Sequence, residues 1–305
     1  MISGVVSIGT NSTRALAAEI AHPPRIVLAR STGTRIGEGL SGRGALNERA
    51  IQRTLDALDA HVSALREHTS RITAIATSAL RRAENGATFA AQVESLVGAP
   101  LQIISGEEEA RRSFMGAVSG LQECAAQRFG VVDIGGGSTE YAVGSRRSAQ
   151  RVASCEMGAV RLTQLVPALD GTHGAVSDED VQRARHIARE AIAPLRTFAR
   201  VERLVFVGGT ASSVVGMMRG SRELFSYADI TPAEVDAALS LLLRDPLEQR
   251  KNTAGINPQR ADILPAGLLI LDEVFALTDH EQAQVSSNDL LLGTLLADTE
   301  CVRND

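Results

Sequence analysis

Apolar residues along the chain alternate between two periods, and the switches mark its elements. Residues 2–8 read as a strand, residues 15–20 as a second, and Gly9-Thr10-Asn11-Ser12-Thr13 as the turn between them. So short a link predicts a hairpin, because a parallel pairing needs a long crossover. Residues 26–30 read as a third strand. Asn47 and Glu48 then open a helix on which Ile51, Leu55, Leu58, Val62 and Leu65 form one apolar face. Strand 72–76, a helix bearing Phe89, Val93 and Leu96, and strand 101–104 complete the first half. In the second half, residues 131–134 and 141–143 flank another glycine turn. Ser177-Asp178-Glu179-Asp180 predicts a capping box for a helix with Val181, Ala184, Ala188, Ala191 and Leu195 on one face, which Pro194 kinks or shortens. Residues 204–207 read as a buried strand ending in a third loop, Gly208-Gly209-Thr210-Ala211-Ser212, and Thr231-Pro232 with Glu234 opens a further helix. Strands interleaved with amphipathic helices predict an α/β fold with covered sheets.

The two glycine turns are related. Val5-Val6-Ser7-Ile8-Gly9-Thr10-Asn11-Ser12-Thr13-Arg14 returns 126 positions later as Val131-Val132-Asp133-Ile134-Gly135-Gly136-Gly137-Ser138-Thr139-Glu140, with six of ten letters identical. The matched letters are an apolar run, a glycine and a hydroxyl pair. The mismatches change charge, Ser7 against Asp133 and Arg14 against Glu140. This predicts two related domains and a cleft that holds an anion and a metal ion. The boundary is placed near residue 119, giving domains 1–119 and 120–305, the last segment of the second being free to pack back on the first.

Composition narrows the chemistry. With 305 residues, 44% apolar, 3% aromatic and no tryptophan, two ordinary cores must be built from Ala, Val, Leu and Ile. A net charge of −5 argues against a nucleic-acid footprint spread over the chain. The basic residues include one lysine, Lys251, so any anion site rests on arginine forks and backbone N–H groups. Cys124, Cys155 and Cys301 are widely spaced and read as reduced, buried thiols. The N-terminus enters a strand with no apolar signal core, and the apolar segment 263–277 is too short and too charged to cross a membrane. A soluble protein of the cytoplasm, not bound to membrane or nucleic acid, is expected.

Gly135-Gly136-Gly137-Ser138-Thr139 combines three glycines with a hydroxyl pair. Such a run costs backbone entropy and points to unusual dihedrals or a close approach to a ligand. Its exposed N–H groups form an anion nest. Neither this loop nor its two companions carries a P-loop lysine or a dinucleotide fingerprint. Ser105-Gly106-Glu107-Glu108-Glu109-Ala110-Arg111-Arg112 starts a helix with three acids in its first turn. Acids there stabilise a helix electrostatically; beside a phosphate site, one of them can also activate water. Asp133, at the end of an apolar strand, is costly unless paired or metal-bound, and is the metal candidate, with Glu140 a neighbouring acid. Arg14, Arg81, Arg82 and Arg161 lie beside loops or helix starts and can neutralise a phosphate chain.

Taken together, Ile8–Arg14 (IGTNSTR), Gly37–Leu40 (GEGL), Ala76–Asn85 (ATSALRRAEN), Ile104–Gly116 (IISGEEEARRSFMG), Val131–Glu140 (VVDIGGGSTE), Met157–Gln164 (MGAVRLTQ), Phe206–Ser212 (FVGGTAS) and Asn257–Leu271 (NPQRADILPAGLLIL) resemble the exopolyphosphatase/guanosine pentaphosphate phosphohydrolase family. The resemblance spans nearly the whole chain and implies its short, two-domain form, of the actin, Hsp70 and sugar-kinase (ribonuclease H-like) fold with an interdomain cleft. It implies that Glu109 is the catalytic glutamate, with Glu140 as a second acid. Asp133 would carry the metal, Mg2+ or Mn2+. Gly9, Asn11, Ser12, Arg14, Arg81, Gly135, Gly136, Gly137, Ser138, Thr139, Gly209 and Thr210 would hold the substrate's phosphates. Two departures stand out: Ser7 replaces the family's usual Asp, and the tail around Asp289 lacks the family's Gly-Leu-Arg-Glu-Gly.

The expected activity is metal-dependent release of terminal orthophosphate from linear polyphosphate, in a homodimer. Hydrolysis of guanosine pentaphosphate, an ATP-using activity of the same superfamily and a non-enzymatic polyphosphate or nucleotide sensor are the alternatives. With no tryptophan and two tyrosines, the chain offers no evident platform for guanine, which favours polyphosphate.

Overall fold

The computed structural model describes residues 1–21, 23–40, 44–121, 127–198, 201–223 and 225–304, the last five by backbone alone. The chain folds as two units, Met1–Glu123 with Asn288–Asp305, and Cys124–Ser287.

In the first unit, strands β1 (Ile2–Ile8), β2 (Thr13–Glu19), β3 (Arg25–Thr32), β4 (Ile72–Ala76) and β5 (Leu101–Ile103) form a sheet of order β3-β2-β1-β4-β5. The helices between them are α1 (Glu48–Arg66), α2 (Ser78–Arg81), α3 (Gly86–Val97) and α4 (Gly106–Val118). Asn47 caps α1 by accepting from the Arg49 N–H, and Ser105 caps α4 by accepting from Glu108. Successive residues of β1 serve opposite faces. Val6 and Ile8 pack with Leu58, Val62 and Leu65 of α1 and with Phe89 and Val93 of α3. Val5 packs with Leu16, Ile75, Leu291, Leu292 and Leu295 on the other face. A sheet covered on both sides demands strands apolar throughout, which is how β1 reads.

The second unit contains β6 (Phe129–Ile134), β7 (Thr139–Ser145), β8 (Ser148–Cys155), β9 (Arg203–Val207), β10 (Tyr227–Ile230) and β11 (Ala283–Ser286), in the order β10-β11-β9-β6-β7-β8. Its helices are α5 (Ala159–Leu165), α6 (Asp178–Ile192), α7 (Gly208–Arg219), α8 (Pro232–Arg244), α9 (Leu247–Lys251) and α10 (Leu264–Thr278). The closing helix α11 (Leu290–Asn304) belongs to the first unit. From its far end, β8-β7-β6-β9-β11 repeats β3-β2-β1-β4-β5, antiparallel through the three-strand meander and parallel beyond it. The expected two-domain α/β class is the one observed.

Three expectations are corrected. Gly208-Gly209-Thr210 is not a loop: Gly208, at φ +85°, turns β9 directly into the first turn of α7. The triple glycine adopts no positive φ, so unusual dihedrals do not explain it. The Ser177 cap lacks the backbone half of a capping box: its hydroxyl accepts from the Asp180 N–H and donates to the Asp180 carboxylate, whereas at Thr231 the Glu234 carboxylate also accepts from the Thr231 N–H. Strand β8 had no signature in the sequence, since its exposed edge shows no alternation. Among the described residues, no helix is long and apolar enough to cross a membrane. Cys155 is buried, and burial, then the charges of Glu140 and Glu156, push its thiol up to about 11; Cys124 and the Cys301 side chain lie outside the described residues.

Candidate active site

The sequence repeat is a repeat of hairpin geometry. Gly9 N–H donates to the Ser12 carbonyl at 3.0 Å, and Gly135 N–H donates to the Ser138 carbonyl at 3.0 Å. The last cross-strand pairs are Ile8 with Thr13 and Ile134 with Thr139, preceded by Ser7 with Arg14 and Asp133 with Glu140. The charge inversion therefore falls on equivalent positions of two like turns. In the first turn, Asn11 Nδ2 donates to Ser12 Oγ at 3.2 Å. The Thr10 hydroxyl and Asn11 Oδ1 are buried there without a hydrogen-bond partner in the protein. Buried polar atoms in this condition are costly, so the turn is suited to a ligand or water that completes them.

The three acids of α4 differ once placed. Glu107 pairs with Arg111 at 3.3 Å on the exposed side of the helix, and Glu108 pairs with the largely buried Arg112 at 2.7 Å. These are the helix-stabilising pairs that the electrostatic reading of the run expects. Glu109 differs: it is 7% exposed, and its Oε2 accepts from Arg81 Nη1 at 2.8 Å. The same Arg81 nitrogen donates to the Ile104 carbonyl at 3.0 Å, which anchors the cation where β5 leads into α4.

In the second unit, the carbonyls of Gly135 and Gly136 accept from the N–H groups of Ala159 and Val160, each at 2.9 Å. Oxygens that would repel an anion are thus held by the start of α5. A side chain at Gly158 would not fit, since its Cβ would lie 2.6 Å from the Gly135 carbonyl oxygen. This close approach of two backbones is the reason for glycine at position 158. The Thr139 hydroxyl donates to the Met157 carbonyl at 2.6 Å and the Thr210 hydroxyl to the Ile134 carbonyl at 3.3 Å. These two hydroxyls hold the backbone, which was not apparent from their sequence positions. Glu140 is 1% exposed and accepts from Ser154 Oγ at 2.8 Å. Asp133 is half-buried directly opposite it.

Whether these residues fit magnesium turns on Asp133. Among the described residues, no group of three or more His, Cys, Asp or Glu side chains is gathered. Magnesium does not need one, because it commonly keeps several waters and is held by one or two carboxylates and substrate phosphates. At Gly208 a Cβ would lie 2.7 Å from Asp133 Oδ1, so the glycine preserves the carboxylate's space. A hard carboxylate oxygen beside a glycine turn fits a water-rich magnesium ion.

The remaining arginine candidates differ in placement. Arg161 pairs with Glu156 at 3.2 Å, and the backbone of Arg82 caps the end of α2. Arg14 pairs with Asp289 at 2.7 Å. Two residues were given no role by their sequence positions. Asp289 stood out only as a departure in the tail, and Arg260 only as part of the Asn257–Leu271 run. The Arg260 guanidinium lies against Gly209, where a Cβ would overlap it.

Residues 16–298 match the profile of the Ppx/GppA phosphatase family. The chain belongs to this family. Exopolyphosphatase 2 of Mycobacterium tuberculosis strain H37Rv is 32% identical over 315 residues, which cover 96% of this chain and 97% of that protein. The bifunctional 3-dehydroquinate synthase/phosphatase of Fusobacterium nucleatum is 28% identical over 310 residues, 97% of this chain but 46% of that protein. The chain thus spans less than half the length of the Fusobacterium relative. The crystal structure of the Aquifex aeolicus member of the Ppx/GppA family is 25% identical, with a TM-score of 0.81 over 99% of this chain and 98% of that one.

Proposed function

We propose that this Ppx/GppA member is an exopolyphosphatase, releasing orthophosphate one unit at a time from the end of linear inorganic polyphosphate. The observation that carries the proposal is the contrast within one helical turn. Glu107 and Glu108, both more open to solvent, pair with arginines one turn along the helix, while Glu109 is buried against an arginine tied to the backbone.

Glu109 accepts a proton from water as its oxygen attacks the terminal phosphorus. The bridging P–O bond breaks, and the shortened chain leaves as orthophosphate forms. Backbone N–H groups of a glycine turn, with arginine, hold the phosphates, and Arg81 orients the base. Magnesium, when bound at Asp133, supplies neutralisation of charge on phosphate oxygens. Glu140, fixed by Ser154, shapes the field at Asp133 from across the strand pair. No covalent nucleophile is required.

Polyphosphate is favoured over guanosine pentaphosphate by the placement of the aromatic rings. Phe89, Phe114, Phe129, Phe206, Phe275 and Tyr141 are all buried in cores. Phe198 packs edge-on against Tyr141 with centroids 4.8 Å apart. With Phe198, Phe225 and Tyr227 half-buried, stacking surface for a base is scarce, and phosphate contacts supply most of the binding. The proposal is tested by resolving products by chain length. Progressive shortening by single units with orthophosphate as the released product supports it; internal cleavage into mid-length fragments contradicts it.

A further inference from the structure

The second hairpin carries a carboxylate, Asp133, at the position where the first carries Ser7. Opposite Ser7 stands Arg14, whose Nη2 lies 2.7 Å from Asp289 Oδ2. The Asp289 side chain is 6% exposed and that of Arg14 is 32% exposed, so the acid is enclosed and the guanidinium reaches outward from it. The first turn thus has its carboxylate after all, delivered by the far end of the chain.

The delivery is rigid. Asp289 Oδ1 accepts from the Leu291 N–H at 3.1 Å at the start of α11. That helix crosses α4 with backbones in contact. A Cβ on Gly116 would overlap the Asp289 carbonyl, and one on Gly293 would overlap the Arg112 carbonyl. Arg112 and Glu109 lie on the same helix. Asp289 is therefore fixed to the element that bears the buried glutamate, while its other oxygen sets the direction of Arg14.

We propose that Asp289 is a positioning residue that acts through Arg14, holding its guanidinium in the orientation that meets the phosphate chain. This rests on the polyphosphate reading above. A bidentate or charge-assisted contact depends on the placement of the guanidinium plane, so losing the anchor weakens chain binding without touching the proton transfer.

The test is a double-mutant cycle on Arg14 and Asp289, read as KM and kcat for polyphosphate. Asp289→Asn removes the charge but keeps a side chain that caps a helix equally well. It should raise KM by about fivefold or more, with kcat changed by less than about threefold. Arg14→Gln should raise KM at least as much, and adding Asp289→Asn to it should change KM by less than about twofold. Ser7→Asp, which puts a carboxylate opposite Arg14 on the neighbouring strand, should recover part of the KM lost in Asp289→Asn. A helix cap of purely structural importance would lower the unfolding midpoint and give no such recovery. An unchanged KM in Asp289→Asn, or additive losses in the cycle, would overturn the inference while leaving wild-type activity intact. Absence of polyphosphate turnover by the wild type would instead overturn the functional reading, and this inference with it.

Discussion

Arg81 Nη1 donates both to Glu109 Oε2 at 2.8 Å and to the Ile104 carbonyl at 3.0 Å. The cation is thereby fixed to the backbone, and the glutamate to the cation. An acid held this way keeps its direction when substrate is absent, which is the preorganisation that a general base needs.

Replacing Glu109 with Gln should lower kcat by ~10²–10⁴-fold while binding of phosphate chains stays near normal, because only proton handling is lost. Glu107→Gln and Glu108→Gln should remain within a few-fold of wild type. Both acids are more open to solvent than Glu109 and pair within their own helix, and the fully surface pair of Glu107 with Arg111 contributes about 0.3–0.5 kcal/mol. Steady-state kinetics with a separate chain-binding assay distinguishes the cases. Loss of turnover in either neighbour with an active Glu109→Gln would assign the base to the wrong acid.

Turnover should stop in excess chelator and return with Mg2+ or Mn2+. Gly208→Ala should raise the Mg2+ concentration needed for half-maximal rate. Its φ of +85° disfavours a side chain, and the new Cβ would lie 2.7 Å from Asp133 Oδ1. Asp133→Ala should remove the metal response along with the activity. A Mg2+ titration checks each variant, and full activity in chelator would refute the role of the metal.

Much of this architecture was legible in the chain. The hairpins and amphipathic helices followed from hydrophobic period, and the duplicated decapeptide marked two like turns because the hairpin needs the same letters twice. What could not be read was set by long-range packing. Glu107, Glu108 and Glu109 look alike in sequence, and only the burial of one helix face separates them. Thr139 and Thr210 read as ligands because their hydroxyls' carbonyl partners, Met157 and Ile134, are invisible to local pattern. Gly208 belongs to a helix start rather than a loop, a distinction that rests on a single positive φ. Asp289 carried no signal that its partner would be Arg14.

Gly293→Ala should destabilise the first unit by about 1–3 kcal/mol or more, since an added methyl at a backbone-to-backbone crossing must push the helices apart. Urea unfolding measures this directly. A variant as stable as wild type would mean that α4 and α11 pack more loosely than their geometry indicates.

Stability should also fall in mild acid. Burial, chiefly, and the charge of Arg30 hold His61 below its ordinary 6.5, with a hydrogen bond to the Thr13 backbone acting in the opposite direction. The unfolded chain therefore takes up the proton first. The contribution is complete above about pH 6.5 and is lost as pH falls through the lower folded-state value. Urea midpoints at about pH 7.5 and about pH 5.5 should differ in wild type and differ less in His61→Leu. An equal pH dependence in the two proteins would exclude His61 as its source.

The central claim concerns what the site recognises, and substrate competition tests it most directly. The measurement is kcat/KM for a short linear polyphosphate and for guanosine pentaphosphate, with Mg2+ present, at matched ionic strength. A site that binds through backbone N–H groups and arginines, in a chain with six of its nine aromatic rings buried in cores, should favour the polyphosphate, and its KM should rise with salt as the exposed charges are screened. A clear preference for guanosine pentaphosphate would contradict the account and would require a guanine pocket that these residues do not form.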